Sequence, residues 1–386
     1  MKEFVVVGGG IHGTYLTNRL LDHHAPEALA IVDPNSRLVA AFERRARACG
    51  MTELRSPFVH HLGRDPFDLE TFAEGSGRVD ELRPTPNYPA RPALDLFCDH
   101  AGHVIERRSI DDLHVRAHAR RVRSTGRGLA VETTDGTLRT RNVALAVGPG
   151  RPSLPAWACD GVEHVWGDAL ESAPERPIRL TDDGVSDETC LVIGGGITAA
   201  QVALAVGATA LLTRHPLCTA VTEADPPWVN WPHIAKRLHC HPPGSRARLE
   251  TVRAERHDAS MLPGLRDALV ESDTAVEHGV VTSALSAGDG VVLRLDDGRT
   301  LEADRAVCAT GFDPAWKRPF VDAVATDLGL ERGYDGVPIL DDATLRWRGD
   351  TDGVYVTGSL AMCTVGPFAG NVIGARRAAD RILGEA

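Results

Sequence analysis

Three glycines near the start of the chain, Gly8, Gly10 and Gly13, fall in the pattern G-x-G-x-x-G within "FVVVGGGIHGTYL". That spacing lets a backbone turn tightly, approach a pyrophosphate closely and pack the next helix against the strand before it. Asp33 stands 20 residues beyond Gly13, a carboxylate able to accept hydrogen bonds from a ribose hydroxyl pair. A second set follows in "CLVIGGGITAAQVAL", where Gly194 and Gly196 are kept and Ala199 takes the third place. Beyond it, "ATALLTRHP" puts Thr213, Arg214 and His215 where the first set has Asp33. An acid there repels a 2′-phosphate, whereas an arginine pairs with it through its planar fork. The two sets therefore point to two bound dinucleotides, the second being NADPH rather than NADH.

The surrounding elements must hold these residues in place. Phe4 to Val7 is an unbroken apolar, β-branched run, as in a parallel strand buried on both faces, and Thr14 to Leu21 continues with helical apolar spacing. Cys190 to Ile193 repeats the strand. Residues 131–148 and 292–311 also match: each alternates apolar positions, carries an Asp-Gly pair (Asp135-Gly136, Asp297-Gly298) and ends in an apolar strand before glycine. The Asp-Gly pairs predict two-residue hairpins with positive φ at both positions. The fold class expected is α/β, with two Rossmann-like (three-layer ββα) dinucleotide-binding domains, each carrying a small antiparallel insertion. Gly148, Pro149 and Gly150 mark a turn leaving the first sheet. The predicted division is residues 1–155 with 309–386 as one domain and 156–308 as the other. In the tail, Pro367 is expected at a helix start, with an amphipathic run to Leu383 aiming positive partial charge at an anion.

Composition closes off other classes. A chain of 386 residues with 43% hydrophobic and 25% charged residues has room for two or three domains with their own cores. A net charge of -11 argues against a nucleic-acid partner. No apolar stretch reaches the roughly 18 residues of a membrane span, and the start lacks a signal-peptide pattern, so no membrane association and a cytoplasmic location are expected. The eight cysteines include no C-x-x-C pair, which fits reduced thiols rather than disulfides or zinc. No metal is expected either: His60 and His61 are adjacent, and His239 and His241 sit in a Pro-Pro-Gly loop. Trp228 and Trp231 in "DPPWVNWP" are candidates to wall a pocket.

The whole chain resembles the two-dinucleotide flavoproteins, specifically the class B flavin monooxygenases of the lysine and ornithine N-hydroxylase type. The resemblance is carried by "GGGIHG" with Asp33, "GGGITAAQ" with "LLTRHP", "CATGF", "LRSPFVHHLGRDPFDL", "EADPPW" and the closing "TGSLAMCTVGPFAGNVIGARRAADRIL". It implies FAD held by Gly8, Gly10, Ile11, His12, Gly13, Asp33, Arg55, Gly148, Gly358, Gly366 and Pro367. It likewise implies NADPH held by Gly194, Gly196, Ile197, Thr198, Ala199, Arg214 and Gly311. Arg55, His60, His61 and Asn371 become candidates to line the pocket between nicotinamide and flavin.

The activity implied is NADPH-dependent reduction of FAD followed by oxygen transfer, through a C4a-(hydro)peroxyflavin, to a nucleophilic nitrogen or sulfur of a small metabolite, with O2 as co-substrate. In one place the chain departs from the family: an F-x-G-x-x-x-H fingerprint is reduced to "CDGVEHVWG", with Gly161, His164 and Trp166 at shortened spacing. Two alternatives stand beside it, a flavin reductase that inserts no oxygen and a non-catalytic redox sensor. The sequence does not fix the oligomeric state.

Overall fold

The computed structural model describes residues 1–167, 189–288 and 290–385. The apolar run at the start forms the strand Lys2–Val7, which pairs in parallel with Leu29–Asp33 on one side and Gly136–Leu145 on the other. His114–Arg116 extends this sheet beyond Leu29–Asp33, and Val354–Val356 from the far end of the chain pairs in parallel with Gly136–Leu145. Side chains alternate between its faces as a period of two requires. Val5, Val7, Val32 and Leu145 enter one core cluster, while Phe4, Val6, Ile31 and Ala144 enter the other. Helices or loops must therefore cover both faces, which is why the run is apolar without interruption.

The second sheet repeats the plan. Cys190–Ile193 lies between Ala210–Thr213 and Arg305–Cys308, with Ala275–His278 and Val162–His164 at the edges, all parallel. The five strands stand in the same spatial order as their counterparts in the first sheet. In each unit the last strand comes from out of chain order: Val162–His164 precedes its unit, and Val354–Val356 follows the whole second unit. The architecture is two Rossmann-like dinucleotide-binding domains.

Each unit has its antiparallel insertion, built differently. In the first, Ala119–Thr125 and Gly128–Thr133 join Gly136–Leu145, one continuous strand that pairs antiparallel through Thr140 and parallel from there onward. In the second, Val281–Ala287, Gly290–Leu295 and Thr300–Ala303 form a separate sheet. Asp304 interrupts the strand, accepting from the amide and hydroxyl of Thr189 at 2.7 Å each before Arg305–Cys308 resumes.

The expected hairpin geometry is half right: Gly136 has φ +125° and Gly298 φ +88°, but Asp135 and Asp297 are not left-handed. Asp297 instead accepts the Arg299 amide at 3.0 Å, and Asp135 donates its own amide to the Thr133 hydroxyl at 3.0 Å. These local bonds hold the aspartates in ordinary conformations.

Residues 218–262 form an excursion from the second sheet, entered by Cys218–Thr219 and left by Ser260–Met261, two short strands that pair in parallel. Its helix Arg246–Glu255 is capped by the Ser245 hydroxyl. The excursion packs on the first unit and the tail, where Trp228, Ile234, Leu238 and Val252 share a cluster with Phe368 and Ile373. The bidentate Arg248–Asp342 pair, at 2.6 and 2.8 Å, ties it down further. No helix among the described residues is long and apolar enough to cross a membrane.

Candidate functional site

The second glycine turn, and the start of the helix that follows the first, line one cavity of about 1020 Å³ between the two sheets. Three helix N-termini reach its wall: Ile11–Leu20 through Ile11, Ile197–Ala205 through Gly196 and Ile197, and the closing helix Val372–Ile382 through Gly370, Asn371 and Val372. All three begin without a side-chain cap, so their first amides remain available to an anion.

The first turn is built by steric demand. A Cβ on Gly13 would stand 1.8 Å from the Gly8 carbonyl oxygen, and one on Gly8, whose φ is +111°, would stand 2.2 Å from the Ala146 oxygen. Gly10 differs, because a Cβ there would meet nothing within 4 Å. It is the open position of the turn. In the second turn Gly194 has φ +151°, and the Ala199 methyl would lie 3.1 Å from an added Cβ. This helix therefore packs back far enough for alanine in third place. Gly196 faces the Ala259 Cα at 3.6 Å, and Gly311, with φ +81°, lines the cavity with open space beside it.

Asp33 is 8% exposed, accepts the Gly9 amide at 2.7 Å through Oδ2, and accepts the Asn35 amide at 2.9 Å and its side-chain NH2 at 2.7 Å through Oδ1. It fixes the turn as well as facing its end, and Oδ2, with a single donor, keeps a lone pair for a further one. His12 shares a 2.9 Å hydrogen bond between Nδ1 and the Thr357 hydroxyl, while its buried Nε2 has no partner. Burial pushes its pKa down to about 4, against the opposing pull of the Gly370 and Asn371 backbone. Gly358, at φ +69°, packs against that imidazole, and Gly148 turns at φ +74° with open space around it. Arg214 stands exposed on the cavity rim, with no hydrogen bond or ion pair to its side chain among the described residues.

Other expected site residues lie elsewhere. His60 lines a separate surface cleft of about 700 Å³ with Arg64, Arg376 and Arg377. His61 is fully buried, accepting the Gly63 amide at 3.0 Å and reaching the Pro66 carbonyl at 3.1 Å. His61 also lies near Asp68 and His100 in a cluster of metal-ligating types, yet both its nitrogens are engaged and Arg107 takes the Asp68 carboxylate at 2.9 Å. Trp228 is buried against Gly366, and Trp231 stacks with Arg381 at 4.3 Å, so neither walls the cavity. Pro367 does not begin a helix. Gly366, at φ +96°, ends the short turn Met362–Val365, and the closing helix starts only after Asn371. The Pro367 carbonyl instead accepts Arg256 Nη1 at 3.0 Å. Asn371 does line the cavity.

Arg45 carries a signal that the sequence did not reveal. Its guanidinium has no hydrogen bond or ion pair among the described residues, and lies 5.9 Å from the centre of the Phe312 ring, which stacks on Trp166 at 4.8 Å. Burial, with repulsion from Arg318 and Arg44, pulls its pKa down to about 10. A desolvated cation without an acceptor is costly to hold.

The buried histidines set an acid limit on the fold. His12, His60 and His100 are pushed down to about 4 and His61 to about 3, burial being the largest cause in each. Their unfolded value is 6.5, so between pH 6.5 and about 4 the unfolded chain binds more protons than the folded one. Stability is then lost as pH falls through that window. Unfolding free energy is expected to drop between pH 7 and pH 5, by about 1 kcal/mol or more for each of the fully buried His61 and His100, and the urea midpoint falls with it. Urea titrations at the two pH values check this, and an unchanged midpoint would contradict it.

The whole chain has the fold of known flavin-dependent hydroxylases. An ornithine N-hydroxylase from Kutzneria sp. 744, solved with reduced FAD, NADP+ and L-ornithine, superposes with TM-score 0.74 at 16% identity, covering 99% of this chain and 98% of that one. An L-lysine 6-monooxygenase from Pseudomonas syringae gives 0.72 at 19% identity, covering 99% of each chain. An ornithine hydroxylase from Pseudomonas aeruginosa gives 0.71 at 16% identity, covering 99% and 98%. No curated protein sequence matches the chain. An FAD-NAD(P)-binding family model matches residues 5–150, and the pyridine nucleotide-disulphide oxidoreductase model matches residues 90–379. With FAD/NAD(P)-binding domains in both halves and most of its length matched by the second of these models, the chain belongs to the pyridine nucleotide-disulphide oxidoreductase family.

Proposed function

We propose that this protein is an FAD- and NADPH-dependent monooxygenase that puts one oxygen atom on a nucleophilic nitrogen or sulfur of a small metabolite. The observation that carries the reading is the meeting of the second glycine turn and three uncapped helix starts, one of them the helix that follows the first glycine turn, at a single cavity. In this reading residues 1–155 with 309–386 hold FAD and residues 156–308 hold NADPH, in a cytoplasmic enzyme.

Gly8, Gly10, Ile11, His12 and Gly13 cradle the FAD pyrophosphate on the Ile11–Leu20 helix, Asp33 takes its ribose, and Arg45 supplies the nearby positive charge. Gly148 and Gly358 give the backbone room, while the Asn371 end of the closing helix stabilises negative charge at the flavin edge. Gly194, Gly196, Ile197, Thr198, Ala199 and Gly311 hold the NADPH backbone, and Arg214 meets its 2′-phosphate. When bound, the two groups supply a hydride donor and a carrier able to react with O2. Overall, substrate, O2, NADPH and a proton give oxygenated substrate, water and NADP+. Leu54, Met51, Phe42, Trp166, Phe312 and Met362 line the cavity and keep water from the reacting groups.

A second reading, a reductase that inserts no oxygen, is favoured by the breadth of the matched family. Its thiol-exchanging form is disfavoured here, because the chain has no C-x-x-C pair and no cysteine lines the cavity. Turnover of the FAD-loaded enzyme with NADPH and isotopically labelled O2, over a panel of small amines and thioethers, separates the two. Label recovered in an N- or S-oxide supports the monooxygenase. NADPH consumption that yields hydrogen peroxide or reduced acceptor, with no labelled product for any compound, establishes the reductase. A protein that takes up no FAD would be a non-catalytic binding module.

A further inference from the structure

Arg55 does not present a free charge to the cavity. Its Nη2 donates toward the Ala220 carbonyl at 2.8 Å, the Thr222 carbonyl at 2.9 Å and the Ser260 hydroxyl at 3.0 Å. Between those two carbonyls, the Val221 oxygen accepts Arg91 Nη2 at 2.9 Å, and Arg91 Nε donates to the Arg55 carbonyl at 3.1 Å. Two arginines of the first unit thus grip three consecutive carbonyls of the 218–262 excursion. Arg91 is only 6% exposed, carried on the hairpin of Leu82–Thr85 and Tyr88–Pro92, with its cation 5.7 Å from the Tyr88 ring. Among the described residues neither arginine has an ion pair, and burial lowers the pKa of both. Both cations are held by carbonyl and hydroxyl oxygens, Arg91 Nη1 donating also to the Thr85 hydroxyl at 3.2 Å, and the planar fork of arginine suits such a set of acceptors.

What the grip holds bears on the reaction. Arg55 reaches Ser260, and one residue before it stands Ala259, a non-glycine residue at φ +52°. Ala259 lies over the second glycine turn, its Cα 3.6 Å from the Cβ that Gly196 would carry and its own Cβ 3.9 Å from that of Gly195. Left-handed backbone at an alanine persists only where its surroundings enforce it. The Ser260 end of this loop is enforced from the FAD side by Arg55.

We propose that Arg55 and Arg91 form a clasp that positions the Asp258–Ser260 loop over the second glycine turn and so sets the approach of NADPH to FAD. They are positioning residues. The proposal rests on the two-dinucleotide reading above, and it gives Arg55, which also lines the cavity, a role beyond the expected contact with FAD.

The test uses the FAD-loaded full-length protein with Arg55→Gln, Arg91→Gln and the double substitution, plus Arg55→Lys in case a neutral variant folds poorly. Two quantities are measured: the rate constant of anaerobic flavin reduction at saturating NADPH, and hydrogen exchange of amides in 218–223 and 257–261. A misplacement of about 1 Å costs on the order of 100-fold in rate. The expected result is a fall of about 10- to 100-fold in the reduction rate constant, with FAD content unchanged and exchange raised in both segments. The double variant should be no slower than the slower single, since both residues serve one clasp, and Arg55→Lys should fall between wild type and Arg55→Gln. Faster exchange with an unchanged rate constant, or no change in either, would overturn the positioning role. A wild-type protein that NADPH cannot reduce would instead remove the enzymatic reading, with exchange alone then reporting whether the clasp exists.

Discussion

Substituting Gly13 by alanine is expected to abolish the folded first unit, whereas Gly10→Ala leaves it folded and empties it of FAD. The added methyl at position 13 would sit 1.8 Å from the Gly8 carbonyl oxygen and 3.2 Å from Val6 Cγ1, both fixed by the strand beneath. Backbone cannot swing aside as a flexible side chain can, so the loss is about 3 kcal/mol or more. At position 10 the conformation, φ -75° and ψ -169°, suits any residue, and no atom lies within 4 Å of the new carbon. The apo-protein should melt at or slightly above the wild-type temperature, because alanine restricts the unfolded chain. The methyl nevertheless occupies the mouth of an uncapped helix, where a phosphate must come close. FAD affinity should fall by at least about tenfold, the loss of one charge-assisted contact. Calorimetry on the apo-proteins and quenching of FAD fluorescence read the two effects separately. Wild-type FAD affinity in Gly10→Ala would show that this turn is no phosphate cradle.

The second large effect is expected at Arg214. Alanine there should raise the KM for NADPH by about 10- to 100-fold while leaving that for NADH within about twofold, since a hydrogen-bonded charge pair is worth roughly 1.5–3 kcal/mol. The side chain is exposed and carries no structural bond among the described residues, so the substitution should not disturb folding. Flavin reduction measured against both nucleotides decides the matter. Equal losses for the two would remove the 2′-phosphate assignment.

What could be read from the chain alone follows separation along it. The strand, turn and helix around Gly8 to Gly13 span fewer than twenty residues, so spacing declares them, and Gly194 to Ala199 repeats the same local statement. Gly136 and Gly298 were legible as turn formers for the same reason, though local side-chain bonds kept Asp135 and Asp297 out of the left-handed region. Pro367 misled because proline at a helix start is a statistical signal, overridden here by the turn at Gly366 and the buried Trp228 ring beside it.

The clasp was invisible: Arg55 meets partners 165 to 205 positions away, and Arg91 meets Val221 across 130. Arg45 was hidden too, since only three dimensions show that it has Phe312 beside it and, among the described residues, no acceptor for its guanidinium. His60 and His61 looked alike in sequence, yet the fold sends one to an outer cleft and packs the other inside.

The two antiparallel flaps differ at their roots, one growing out of an unbroken ten-residue strand and the other severed from its sheet at Asp304. A ladder without a gap ties the fate of the first flap to that of the sheet bearing it, so neither can fray alone. The severed copy has a weak link at one residue. Apolar packing of Val291, Leu293 and Leu295 with Leu191, Ile193 and Leu212 holds that flap to its sheet, so insertion or sequence drift at its exposed tips leaves the sheet's own ladder untouched.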